Sequence, residues 1–264
     1  MDPIALMDFF GFTIGEVERM LLILTRISGL FLAAPFFSRT VGPASIKVVL
    51  IVALTIVLYP LVAPWSHEGE GNLTSMFYAA IAELAIGATI GILVHWVLFA
   101  AQVAGSLMGF QMGLSMAMVM DPTSGLQEGV LSNLLYLVAL MLFLSMDGHH
   151  LLLDGLARSF HSLPLGKGLP PANTVLAAAL VALTGMFKLA LLITAPIIVF
   201  TSILYLGMGL INKASPQIQV FFLSMPVAQM VGLLVLGLYL AVVGEVLTRE
   251  INLFIAAAFR LTGL

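Results

Sequence analysis

The chain has 264 residues, of which 61% are hydrophobic and 9% charged. A soluble domain usually carries about 25% charged residues, so an ordinary cytosolic enzyme is excluded. The net charge of -3, without any Lys/Arg cluster, excludes a nucleic-acid partner, and the absence of cysteine excludes disulfides, thiolate chemistry and Cys-ligated zinc.

At roughly 20 apolar residues per membrane crossing, the composition furnishes about six long helices. The predicted fold is therefore all-α: one polytopic hydrophobic unit over 1–264, without a separate soluble domain. Met1 to Phe10 holds Asp2 and Asp8 but no Lys or Arg, unlike the basic start of a cleavable signal, and predicts a mature chain beginning near Met1.

The first segment runs from about Val17 to Phe37, interrupted by Arg19 and Arg26 and closed by Pro35. A short turn leads to Lys47 and a second segment that ends at Tyr59-Pro60, since proline breaks the helical hydrogen-bond ladder. Pro64 to Gly71 is a polar loop carrying Trp65. From Leu84 to Met120 there is no Asp, Glu, Lys or Arg. Fully helical, that run would measure about 55 Å, and a hydrocarbon core of about 30 Å cannot use it as one straight crossing. Its second part is predicted to do something other than face lipid.

A turn at Asp121-Pro122 precedes a fourth segment, Val130 to Met146. A long polar connection, Asp147 to Asn173, leads to segment five, Thr174 to Leu206, which contains Lys188 and Pro196. Segment six covers Val220 to Val246, and Thr248 to Leu264 reads as an amphipathic tail helix.

Four features are candidates for function. Gly105, Gly109 and Gly113 form a GxxxGxxxG stripe, with Met108, Met112, Met116 and Met120 one residue behind, about 100° around a helix. Glycine lets another backbone approach closely, whereas methionine repacks around varied shapes. Simple packing and a pliable seal both fit. Ionisable residues inside apolar segments are Arg26, Glu83, His95 and Lys188, with Glu245 near an end; because charge is costly in a bilayer, they face protein or water. They pair with each other or with partner subunits, or else Glu83, His95 and Lys188 form the relay of an ion-coupled transporter.

His149, His150, Asp154 and His161 crowd one polar stretch, and His150 to Asp154 has the i, i+4 spacing of a shared metal on a helix. No HExxH accompanies them. The stretch is predicted to be a polar interface loop, and no catalytic, cofactor or metal site is assigned. Finally, Lys213, Pro216 and Gln217 mark a tight polar turn between segments five and six, the tip of a helical hairpin.

Several motifs occur together in order: Arg26 to Ser38 with Pro35, then Pro43 and Lys47; Gly105 to Pro122 with Phe110, Gln111, Met118 and Asp121-Pro122; Gly148-His149-His150 with Ser159-Phe160 and Pro164; and Pro216-Gln217 with Val220-Phe221. In these the chain resembles the FliR family, called SctT in virulence injectisomes, over nearly its whole length. The resemblance implies a non-enzymatic subunit of the type III export gate, in the inner membrane at the flagellar basal body. It implies a FliP-like part over about 1–173, with a channel plug at 105–122, and a FliQ-like hairpin over about 174–247. It further implies FliP-like, FliQ-like, FlhB-like and FlhA-like partners and unfolded flagellar export substrates. Arg26 and Lys188 would meet partner subunits, and the tip at Lys213, Pro216 and Gln217 would meet the FlhB-like switch subunit.

Overall fold

A computed structural model describes residues 14–34, 44–62, 73–114, 129–168, 172–215, 217 and 220–261. Among these the fold is entirely helical: α1 (Ile14–Ala33), α2 (Ala44–Val62), α3 (Leu73–Gln111), α4 (Val130–Ser145), α5 (Gly148–Ser162), α6 (Ala172–Ala214) and α7 (Val220–Leu261). Four of them, α2, α3, α6 and α7, are long and apolar enough to cross a membrane, or five spans if α4 and α5 are taken as one broken crossing. The first segment is not among them. Glu16, Glu18, Arg19 and Arg26 put four charges into the 20 residues of α1.

Three differences from the sequence reading have local causes. α2 continues two residues past Pro60, which lies in its last turn; a proline there costs only the end of the ladder. The connection after Asp147 is not a loop but holds α5, because Leu152, Leu156 and Phe160 recur at four-residue intervals and are all buried. That apolar stripe gives the polar segment a face to dock. The sixth segment and the tail form one helix, α7, unbroken to Leu261.

The chain divides into two compact units that interleave along the sequence. The first comprises Met1–His95, Asp147–Ala182 and Phe254–Leu264, and the second Trp96–Met146 and Leu183–Leu253. In the first unit, α2 packs on α1 and also touches α5. α1 and the first part of α3 meet backbone to backbone: a β-carbon added at Gly29 would strike the Leu84 carbonyl, and one at Gly87 the Arg26 carbonyl. In the second unit the end of α3 is central. Ala100, Ala101, Ala104, Met108 and Met112 are fully buried there, as are Leu135 and Ala139 of α4 and Ile193 and Ile197 of α6.

Candidate functional site

The first unit is organised around Arg26. Its guanidinium is fully buried and ion-paired through Nε to Oε2 of Glu83, itself 1% exposed. Nη1 donates to Ser159 Oγ at 3.2 Å and Nη2 to the Leu163 carbonyl at 2.9 Å. Its Cζ lies 4.2 Å from the centre of the Phe160 ring, a cation–π contact. The other Glu83 oxygen accepts from the Gly166 amide at 3.2 Å. One cation and one anion thus tie α1, α3, α5 and the turn after α5 together. The close α1–α3 approach puts the two charges side by side, for Arg26 lies three residues before Gly29 and Glu83 four before Gly87.

Arg26, expected to meet a partner subunit, is fully buried within this chain. The pairing of ionisable residues with each other is the alternative that holds for Arg26 and Glu83. Glu83 therefore brings no free carboxylate to the relay imagined with His95 and Lys188. Sequence reasoning missed the α1–α3 contact, although Glu83, Gly87 and Gly91 share one helical face at four-residue spacing and so advertised a close approach beside the charge.

In the second unit, the glycine and methionine stripes do different work from residue to residue. Gly105 packs on α4, where an added β-carbon would come within 2.5 Å of the Leu131 carbonyl and of Ser132 Cα. The same crossing is bonded by Ser132 Oγ to the Gln102 carbonyl at 2.9 Å and by Ser106 and Ser132 hydroxyls at 3.0 Å. Gly109 is buried. Gly113 ends the helix. It has φ of +75°, its amide donates to the Phe110 carbonyl at 3.0 Å, and the Leu114 amide donates to the Gly109 carbonyl at 2.9 Å, the paired bonds of a Schellman stop.

Met108 and Met112 are fully buried, with Met112 against Gly232 of α7. These two methionines are core packing within the chain. Phe110 faces outward, 76% exposed, and Ser106 and Leu107 are exposed as well. The Gln111 carbonyl, left without an intrahelical donor at the helix end, accepts from Tyr205 of α6 at 2.9 Å. Met116, Met118, Met120, Asp121 and Pro122 lie outside the described residues.

Lys188 is exposed on α6 among Phe187, Leu191 and Leu192, also exposed. Among the described residues it has no ion-pair partner. At the hairpin end, Lys213 and Gln217 are both exposed, and Lys213 lies in the last turn of α6, where a cation complements the helix dipole. Pro216 lies outside the described residues. In the histidine stretch, Asp154 pairs with Arg158 at 2.8 Å and is thus not shared with His150; His150 instead faces Asp147 at 3.5 Å.

A chain built from apolar helices of membrane-crossing length, with its one buried ion pair among the described residues spent on tying helices together, belongs to the class of polytopic helical membrane proteins. More narrowly, the chain belongs to the FliR family: the family described as "Bacterial export proteins, family 1" matches residues 17–254. It is 29% identical to the Flagellar biosynthetic protein FliR of Bacillus subtilis (strain 168) over 238 residues, covering 89% of this chain and 91% of that one. It is 33% identical to the protein of the same name from Pectobacterium carotovorum subsp. carotovorum, covering 83% and 82% of the two chains. With that of Escherichia coli (strain K12) the identity is 32%, over 80% and 79%.

Proposed function

We propose that this protein is a subunit of the flagellar type III export gate, which helps form and seal a conduit for unfolded flagellar proteins across the inner membrane. Its partners are FliP-like and FliQ-like subunits, with which about 1–173 and 174–247 correspond, together with FlhB-like and FlhA-like proteins. The relatives are named for flagellar biosynthesis, which favours the flagellum over the injectisome. Segment 105–122 is the plug. Phe110, with Ser106 and Leu107, supplies its described outward surface, Met108 and Met112 anchor it, and the seal itself falls to the residues beyond Gly113.

One observation carries this reading beyond the family match. α6 and α7 leave long apolar side chains uncovered along most of their length, among them Leu206, Leu210, Phe222, Met230 and Leu238, each at least 64% exposed. Such surface needs lipid or other subunits, and an exposed Lys188 within it suits a subunit better than hydrocarbon.

The test is co-expression with FliP-like and FliQ-like subunits followed by native mass spectrometry. The chain should be stable only as part of a hetero-oligomer. A folded, well-behaved monomer in detergent that retains no partner when they are supplied would overturn the proposal and favour a transporter acting alone.

A further inference from the structure

The start of α5 carries a cluster that the export reading leaves unused. Asp147, His149 and His150 each offer a ligand atom, and these three atoms lie within 4.8 Å of one another. The backbone is arranged unusually to bring this about. Asp147 holds the left-handed conformation, with φ of 54° and ψ of 30°, at the N-cap of α5. Its carbonyl accepts from the amides of His150 and Leu151 at 2.9 and 3.2 Å. Aspartate is a favoured N-cap because its carboxylate accepts from the first amides of a helix, yet here the side chain makes no such bond. It faces His150 Nδ1 instead, at 3.5 Å.

The two imidazoles lie against each other with ring centres 4.2 Å apart and a 40° tilt. His149 is half-buried, and its Nδ1, shielded from solvent, has no hydrogen-bond partner among the described residues. A buried ring nitrogen without a partner is unfavourable unless something satisfies it.

We infer that Asp147, His149 and His150 form a binding site for a late first-row divalent cation, Zn2+ foremost. Two neutral imidazoles and a carboxylate suit zinc, nickel or copper rather than magnesium or calcium, which prefer all-oxygen shells. Zinc bound at about 2.0–2.1 Å sets neighbouring tetrahedral donors about 3.3 Å apart. Asp147 and His150, both exposed, close the remaining distance by side-chain rotation, while the half-buried His149 stays in place. Three protein ligands leave a fourth position for water or for a ligand from another chain. The ion would fix the first turn of the helix whose far end brings Ser159 and Phe160 to Arg26. The inference does not depend on the export reading, since binding is measured without any export assay.

The test uses the full-length protein in detergent, purified through a tag that does not bind metal, with any attached subunits retained and bound metal first stripped by a chelator. Titration with Zn2+ alone should show one ion per chain. His150→Gln and Asp147→Asn should each weaken binding by at least about tenfold, the scale of losing one ligand or its support. Asp154→Asn, whose carboxylate belongs to Arg158, and His161→Ala should leave it unchanged. His150 is exposed, so its substitution tests the site without unpacking the core. If His149→Ala fails to fold, the wild type still decides: loaded with Co2+, it should give the intense visible bands of a tetrahedral centre, absent in His150→Gln. Wild-type protein that takes up no stoichiometric Zn2+, or variants at 147 and 150 that bind as tightly as wild type, would overturn the inference.

Discussion

The Arg26–Glu83 pair is the most consequential contact at the scale of single residues, because both ends are buried and neither can rehydrate when the other is lost. Removing one partner of a buried pair costs about 3–5 kcal/mol, whereas replacing both by apolar groups of similar volume is often nearly neutral. The second outcome will be only partly realised here. Arg26 also serves Ser159 and the Leu163 carbonyl, and Glu83 serves the Gly166 amide, so the double replacement deprives two acceptors and one donor of these partners. Glu83→Leu is therefore expected to destabilise the protein by about 3–5 kcal/mol, and Arg26→Met combined with Glu83→Leu to recover some but not all of that loss. A double-mutant cycle read by denaturation in detergent decides it; additive effects of the two changes would show that the pair is not coupled. Both residues stand out in the sequence as charges in apolar runs. Their pairing does not, because 57 positions separate them and the α1–α3 approach that unites them is a tertiary fact.

Among the elements, α3 shows most clearly what a linear pattern conveys. Its length, 39 residues, or about 58 Å at about 1.5 Å per residue, follows from a largely apolar run whose one formal charge is Glu83; that just over half of its span is buried, against 17% for α2 and 22% for α7, does not, because those helices are as apolar. The roles of its three spaced glycines are less legible. An evenly spaced stripe reads as one packing face, yet Gly105 is a crossing point and Gly113 is a stop. The distinction depends on where the helix ends, which hydrophobic periodicity does not mark. The two roles predict different costs. Gly105→Val drives a branched side chain into the backbone of Leu131 and Ser132, which cannot yield without separating α3 from α4, and should abolish most of the folded yield. Gly113→Ala has room, its nearest neighbour being Met225 Cγ at 3.7 Å, and suffers only the left-handed backbone, about 1–2 kcal/mol. Gly113→Asn, which tolerates that conformation better, should lie closer to wild type. Size-exclusion profiles and thermal denaturation of the three variants test this ordering; equal losses at 105 and 113 would return both glycines to one packing face.

For the whole molecule the open question is what covers its apolar exterior, and Lys188 is the residue that separates the answers. It is exposed on α6 between Phe187 and Leu191, within the apolar stretch Ala179–Ala214. Against lipid, a cation so placed must snorkel or carry a penalty. Against another subunit, it can meet a carboxylate or a helix C-terminus and be held by a charge-assisted hydrogen bond. The two surroundings respond to Lys188→Leu with opposite signs. Lipid exposure predicts unchanged or improved insertion and stability, because a costly charge has gone. A subunit interface predicts unchanged insertion but weaker assembly, by about tenfold if one charged hydrogen bond is lost, with Lys188→Arg retaining most of it since the charge remains. We expect the second pattern, measured as the fraction of chain recovered with FliP-like and FliQ-like subunits, normalised to the chain inserted in membranes. Leu238→Lys on α7, where the exposed leucine has no charge nearby in sequence, serves as the contrast: a new cation there should reduce insertion or assembly in either setting. Only the sign at position 188 then distinguishes an export-gate subunit sheathed by other chains from a transporter sheathed by lipid.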